Sequence, residues 1–587
     1  MDLHFADKAI LVGYFALMLG IGGYFYRFMK GMKDYFSGGN SIPWWLSGVS
    51  FYMSSFSVYA FIAYPALCYK YGLVGVTLLW VAVPACVFGV VLFAKKWRRA
   101  RIDSPVEYLE MRYSPVLRQL FAWQGVPVKM VDDGLKLVSI GIFISVGLGI
   151  PLWASMLGAG GIMLVYTCLG GLWAVAVTDF VQFVILTVAI LIVLPLSIGR
   201  AGGLEAVVQG APEGFFNLTT DKYGWIYVAL LSLLYCLAWS SINWSLIQRY
   251  YCVPNERDAV KAGWLVTALY VIGPPMMFFP AIAAQQFIGD IPDKEVYPRL
   301  CVELLPPGML GLVIAAMFSA TMSMLSSDYN VCASVLTNDV YRRYIKPSAS
   351  EKELVLIGRM MTLLVGIVAL GVAFLMSEGS GEQLFTTMVT LFGIATAPVA
   401  VPMLLGLVSK RVTNLAAVLG FVFGLGSGLF LFFFFPSDRD VALGSFLQWK
   451  HENKEFLIAL FSRNYIWKME ITLFAATSLV TLAISLLVSA IKPMLQGERE
   501  RVEVFHQRLR TPIGQLEQDR PAGGTGAEIL SPFRVVGISI LLIGLMMLAV
   551  LPWVNRAAAF NLDLGLGLLL ALVGALMTWR SGMVKLQ

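Results

Sequence analysis

Four charged residues fall inside one apolar stretch of this chain, in the run Lys129-Met130-Val131-Asp132-Asp133-Gly134-Leu135-Lys136. On a helix, Asp132 and Lys136 stand i, i+4 on one face, as do Lys129 and Asp133, so paired charges would lower the cost of burial. Such groups near the middle of a bilayer bind solutes, gate pathways or relay ions. The run has a second reading, in which the helix starts late and the charges lie at the membrane interface with their stems buried. Asp328, following Ser326 and Ser327, is a further candidate of the same kind. A row of small hydroxyl residues, Ser54, Ser55 and Ser57, interrupts another apolar segment, and Ala238-Trp239-Ser240-Ser241-Ile242-Asn243-Trp244-Ser245 interrupts a third five spans later. Serines also serve ordinary helix packing. Two interrupted helices at corresponding places, however, point to a midplane site where unwound backbone and hydroxyls offer uncharged oxygens to a hard cation. Asp179 is an intramembrane carboxylate, which is costly unless it has a task.

The elements that position these residues are membrane helices. The chain has 587 residues, 58% hydrophobic and 13% charged, with a mean hydropathy of +0.75. A water-soluble domain carries roughly a quarter charged residues. Apolar stretches of the length needed to span a bilayer recur from 8–28 to 559–579, and about fifteen helices are expected. The first is expected to be retained, because Met1-Asp2-Leu3-His4 has no basic leader character. Basic clusters at 95–101, 342–343, 410–411 and in the 492–532 loop all fall on one side in this count, which the positive-inside rule makes cytoplasmic. The N-terminus is then extracellular or periplasmic, and the expected location is the plasma membrane.

The net charge of +7 thus reads as a topology signal. No nucleic-acid partner and no obligate protein partner are indicated; the expected partners are the lipid bilayer and a small-molecule solute. The cysteines lack metal spacing and read as buried thiols. His4, His451 and His506 lie outside the spans, so neither a histidine metal site nor a histidine proton relay is expected there. No nucleophile elbow or phosphate loop supports an enzyme, and none is expected. The charged stretch at 497–503 reads as a helical, solvated linker.

Several motifs occur in a fixed order: Asp34 to Trp45, Gly149-Ile150-Pro151-Leu152, Tyr166 to Leu172, Val177 to Gln182, Asn243 to Arg249, Tyr297-Pro298-Arg299-Leu300, and Ala315 to Tyr341. Together they make the chain resemble the sodium:solute symporters, the family of sodium/glucose, sodium/proline and sodium/sialic-acid carriers. The resemblance runs from about residue 7 to 411. It implies an all-α polytopic fold with a LeuT-like, five-plus-five inverted-repeat core and alternating access driven by a sodium gradient. The implied units are an N-terminal extra helix and leading loop (1–41), a first repeat (42–199), a loop (200–223), a second repeat (224–411) and C-terminal extra helices (412–587).

The family's ion site maps onto the backbone carbonyls of Met53, Phe56 and Ala316 and the hydroxyl of Ser319. Its second hydroxyl falls on Ala320, which has none; Thr321 is adjacent and Ser323 lies one turn from Ser319. Asp179 matches a family aspartate near the ion pathway. With Met322 at one second-site position and Ser323 at the other, one sodium per cycle is expected. Na+ is the coupling ion implied, with no organic cofactor. Solute positions map onto Tyr59, Ala60, Asn243, Ser245 and Thr390, to which the residue reading adds Ser55, Ser57, Asp132 and Asp133. Only Asn243 keeps the sugar carriers' amide, so glucose itself is not indicated. The expected function is sodium-coupled symport of a small hydrophilic solute, with sugars, polyols and sugar acids leading. Carriage of an amino acid, amine or carboxylate with proton or weak ion coupling is an alternative, and a transporter-like sensor is a rival of another class.

Overall fold

The computed structural model describes residues 4–26, 40–55, 57–102, 105–166, 172–434, 469–516, 532–554 and 557–583, apart from a few side chains within helices. Every regular element among them is helical. Ten described helices are individually long and apolar enough to cross a membrane, and two bent pairs raise this to twelve.

Helix α1 (Phe5–Tyr26) lies outside the core. The first core span is broken into α2 (Trp44–Ser54) and α3 (Ala60–Tyr71). Then come α4 (Val74–Arg99), α5 (Pro105–Arg112), α6 (Pro115–Leu148), α7 (Leu152–Tyr166) and α8 (Leu172–Arg200). The second broken span is α9 (Trp225–Ser240) with α10 (Trp244–Tyr251), bent by 57° at the break. It is followed by α11 (Glu256–Ala284), α12 (Val296–Leu304), α13 (Met309–Val335), α14 (Glu351–Met376) and α15 (Gly381–Val408). The remaining helices are α16 (Asn414–Phe434), α17 (Met469–Ile491), α18 (Gln496–Arg510), α19 (Pro532–Val550) and α20 (Ala557–Met583).

Local chemistry sets the ends of the helices that matter for the site. Ser114 caps α6, accepting from Leu117 N at 3.3 Å with Pro115 at the first helical position, and Gly149 ends the helix in the left-handed region at φ 67°. The charged run of 129–136 therefore lies in the middle of a 34-residue helix. The expectation that the helix starts late does not hold, because α6 begins at Pro115, four turns earlier. Ser380 and Gln383 form a reciprocal cap at the start of α15.

The two breaks face each other inside the bundle. Half-helix α2 packs on α8, α10 and α11, and α3 packs on α11, α12 and α15, while α13 lies across α6 and α8. Backbone groups freed at the breaks find partners on neighbouring helices, as a membrane interior requires. Val58 N donates to Thr321 Oγ1 of α13 at 3.3 Å. Ser55 Oγ bonds Tyr52 O at 2.6 Å and pairs with Tyr270 Oη at 2.5 Å. Ser240 O accepts from Trp97 Nε1 at 3.2 Å, and Asn243 N reaches back to Ala238 O at 3.0 Å.

At the basic end the charged 497–503 stretch is helical, but it is docked. Val502, Phe505, His506 and Leu509 of α18 are buried, and Arg101 donates to the Arg508, Thr511 and Pro512 carbonyls at 3.1, 3.2 and 2.8 Å. Within 497–503 only Val502 is buried, so the charged side chains stay on the outer face, while the four buried residues recur at i, i+3, i+4 and i+7 and dock the helix.

Helices α19 and α20 form a hairpin with a glycine seam. A Cβ at Gly544 would stand 2.4 Å from Ala571 N, and one at Gly574 would stand 2.3 Å from Leu541 N. Small residues let the two backbones touch where apolar burial supplies no driving force. The six described cysteines are buried free thiols; Cys168 lies outside the described residues.

Candidate functional site

A cavity of about 110 Å³ lies between the two breaks. Its lining includes Ser55, Ser57, Tyr59, Ala60, Asp132, Asn243 and Ser245, seven of the nine residues singled out for solute. The other two stand apart. Asp133 is fully buried behind the wall, and Thr390 spends its hydroxyl on Thr386 O at 2.7 Å while Met388 and Phe392 of the same helix reach the cavity. The sequence reading missed the aromatic part of the wall, Tyr64, Tyr235 and Trp239. Nothing in their local sequence separates them from core aromatics.

Lys129 and Lys136 complete one wall. Lys136 Nζ lies 2.9 Å from Asp132 Oδ2, 3.1 Å from Asp133 Oδ1 and 2.9 Å from Asp328 Oδ2. Lys129 does not take the Asp133 partner that its spacing suggested. It turns instead to Asp328 at 3.2 Å and Asp132 at 3.6 Å, because α13 brings Asp328 against this face of α6. The weaker sequence candidate, Asp328, is therefore a member of the cluster.

A second, mostly apolar cavity extends toward the basic end, lined by Phe121, Gly125, Val128, Trp244 and Val399 among others. Lys129, Asn243 and Phe392 line both cavities and form the partition between them. At the opposite end, Tyr64 and Tyr235 hydroxyls meet at 2.7 Å, with Phe385 edge-on to Tyr64 at 5.6 Å. Beyond them Glu382, at the start of α15, accepts from Lys70 at 2.8 Å, Tyr223 at 2.8 Å, Tyr71 and Lys222. Burial opposes charge on Lys222, but its bonds to Glu382 and Tyr71 prevail and its ammonium holds its proton above the ordinary lysine range. This network ties α3, the loop before α9 and α15 over the cavity.

Below the first break, Asp179 of α8 accepts from Ser50 Oγ at 2.6 Å, and Arg249 of α10 stands 3.7 Å from the same carboxylate. Arg249 also donates to Ser50 Oγ at 2.9 Å and Ser54 Oγ at 3.0 Å. One buried ion pair thus clamps α2, α8 and α10 together. Arg249 was visible in the sequence only as part of a motif. Its own signal is that it is an intramembrane arginine, which must have an anionic or carbonyl partner.

Of the residues mapped to the ion site, Met53, Ala316 and Ser319 are buried, and the Thr321 contact with Val58 holds α13 against the break beside them. Phe56 lies outside the described residues, as do the side chains of Ala320 and Ser323. With one lone pair taken by Val58 N–H, the Thr321 oxygen keeps a second for another donor or an ion.

Comparison with known proteins gives a consistent result. The model of the sodium:solute symporter family matches residues 35–424. The sodium/glucose cotransporter of Vibrio parahaemolyticus is 28% identical over 468 residues, 73% of this chain and 86% of that protein. The sodium/sialic acid symporter SiaT of Proteus mirabilis (strain HI4320) is 25% identical over 464 residues, 74% and 92% of the two chains. Sodium/myo-inositol cotransporter 2 of Homo sapiens is 27% identical over 477 residues, 72% and 69%. Among solved structures, the substrate-bound outward-open state of a Na+-coupled sialic acid symporter superposes with a TM-score of 0.65 at 20% identity, covering 84% of this chain and all of that one, 100%.

Proposed function

The chain belongs to the sodium:solute symporter family, and from this premise we propose that it carries Na+ together with a small polyhydroxylated solute through the cavity between its two helix breaks. The observation that supports this reading most is the cavity wall itself. Ser55, Ser57, Tyr59, Ser245, Asn243 and the Asp132–Lys136 pair line it together with Trp239 and Tyr235. Such a wall both donates and accepts around a ring-sized solute, with aromatic faces against its C–H surface. The similar proteins are named for glucose, sialic acid and myo-inositol, and a polyol or sugar acid fits the same chemistry.

Sodium is assigned to the carbonyls of Met53, Phe56 and Ala316 and the hydroxyl of Ser319, with Thr321 or water standing in for the hydroxyl that Ala320 lacks. In this reading 42–199 and 224–411 are the two inverted repeats. The end bearing Lys95–Arg101 and α18 faces the cytoplasm, which places the N-terminus outside the plasma membrane. The Glu382 network and the Asp179–Arg249 clamp then close the outer and inner sides in alternation.

The test is solute titration of purified protein with glucose, myo-inositol and sialic acid, in sodium or potassium at equal ionic strength. Reciprocal linkage requires sodium to tighten the solute that binds, and that solute to tighten sodium. Equal affinity in the two salts rejects coupling through this site. Solute binding without uptake into vesicles under a sodium gradient identifies a sensor instead.

A further inference from the structure

The cluster behind the cavity is one positive charge short. Asp132, Asp133 and Asp328 bring three carboxylates whose oxygens lie within 4.8 Å of one another, and Lys129 and Lys136 bring two ammoniums. All three protons of Lys136 are spent, one on each carboxylate, at 2.9, 3.1 and 2.9 Å. Lys129 reaches Asp328 and Asp132. Asp132 and Asp328 therefore each stand within ion-pair distance of two ammoniums, whereas Asp133 stands within that distance of Lys136 alone and is 0% exposed. Its Oδ2 is buried with no hydrogen-bond partner among the described residues.

The position beside it is tightly packed. A Cβ on the next residue, Gly134, would stand 2.5 Å from Val372 Cγ1 and 3.1 Å from Ala369 O of α14, so the Gly134 face has no room for water. The titratable and charged groups facing Asp133 are Lys129, Asp132 and Lys136 on its own helix and Asp328, Tyr329 and Cys332 on α13; Tyr59, just before α3, meets the cluster through Asp132. Oxygens of Asp133 and Asp328 lie within 4.8 Å of each other. Two ionised carboxylates have no proton to share, since both are acceptors only.

We propose that Asp133 is a proton-binding site, carrying a proton on Oδ2 while the other four members of the cluster stay charged. The proton brings the cluster to neutrality, turns an orphan acceptor into a donor, and relieves like charge in a medium of low dielectric. A divalent cation is the other ligand that three carboxylates suggest, but both ammoniums occupy the approach to it. Asp132 and Lys136 line the solute cavity and also touch this network. Any solute that bonds to them changes the charge Asp133 sees, and so links its own binding to protonation; this linkage rests on the solute reading above, whereas the proton itself does not.

The test is infrared spectroscopy of reconstituted protein at neutral pH, which separates un-ionised carboxyl from carboxylate. Asp563→Asn serves as the background, because Asp563 is another fully buried carboxyl whose oxygens lack partners among the described residues. The expected result is one un-ionised carboxyl band, sensitive to exchange into heavy water, that disappears on adding Asp133→Asn. Adding Asp132→Asn should remove it too, since two carboxylates balance two ammoniums and Asp133 then ionises. If either variant fails to fold, Lys129→Gln on the same background decides: loss of one ammonium should add a second un-ionised carboxyl. No such band in the Asp563→Asn protein, or one that survives Asp133→Asn, overturns the proposal. Neither result depends on which solute or coupling ion the protein carries.

Discussion

Asp179 and Arg249 show how a single residue pair fixes the inner half of the first broken helix. Their side chains are 3% and 4% exposed, respectively, so Asp179→Asn leaves an arginine charge in a dry place. Breaking a buried pair on one side costs about 3–5 kcal/mol, and thermal unfolding in detergent should show that loss. The double variant Asp179→Asn/Arg249→Met should recover most of it; a double variant no more stable than the single one would mean the pair is energetically idle. At the ion site, Ser319→Ala removes the one mapped hydroxyl and should weaken sodium by about tenfold, the effect of roughly 1.4 kcal/mol. Ala320→Ser should act in the opposite direction, both read from sodium-dependent quenching of Trp239 fluorescence. Single residues were legible where their chemistry was anomalous on its own, as with an aspartate in an apolar span or a row of serines. Partners were not: Ser50 lies 129 residues from Asp179, and Lys136 lies 192 from Asp328. Only the folded bundle brings such groups together.

The helices were legible because spans announce themselves by length and apolarity, and the breaks because small polar residues interrupt them. Docking was harder to read. In α18 the charged residues dominate composition, while the buried stripe is only four residues long and its partners, α5 and the end of α4, lie far away in sequence. His506 on that stripe carries a testable consequence. Burial, reinforced by Arg112 and Lys410, lowers its pKa from 6.5 to about 4. The undocked helix therefore takes up a proton at a higher pH than the docked one, so docking is fully stable above pH 6.5 and weakens as pH falls from there toward 4. Hydrogen exchange of residues 496–510 should quicken across that interval, and His506→Leu should flatten the dependence. An unchanged pH profile in the variant would remove His506 as its cause.

In the proposed cycle the Glu382 network and the Asp179–Arg249 clamp close opposite sides of the cavity, so weakening either should shift which end is open. Glu382→Gln removes the acceptor charge that holds Lys70 and Lys222 over the tyrosine layer. Labelling of Ala60→Cys by an impermeant thiol reagent added at the Glu382 end should accelerate several-fold in that variant. A rate equal to that of the parent would show that Tyr64, Tyr235 and Phe385 close this end without the ion network. The glycine seam of α19 and α20 bears on a different moment in the protein's life. The closest backbone contacts of these helices are with each other: Gly537 faces Gly574, and Gly544 faces Gly567 and Ala571. The hairpin can close in the lipid on its own contacts before it docks on the rest of the bundle, so a bulky residue at Gly544 would delay assembly and lower yield at the membrane while the transport cycle of the molecules that mature runs at its normal rate.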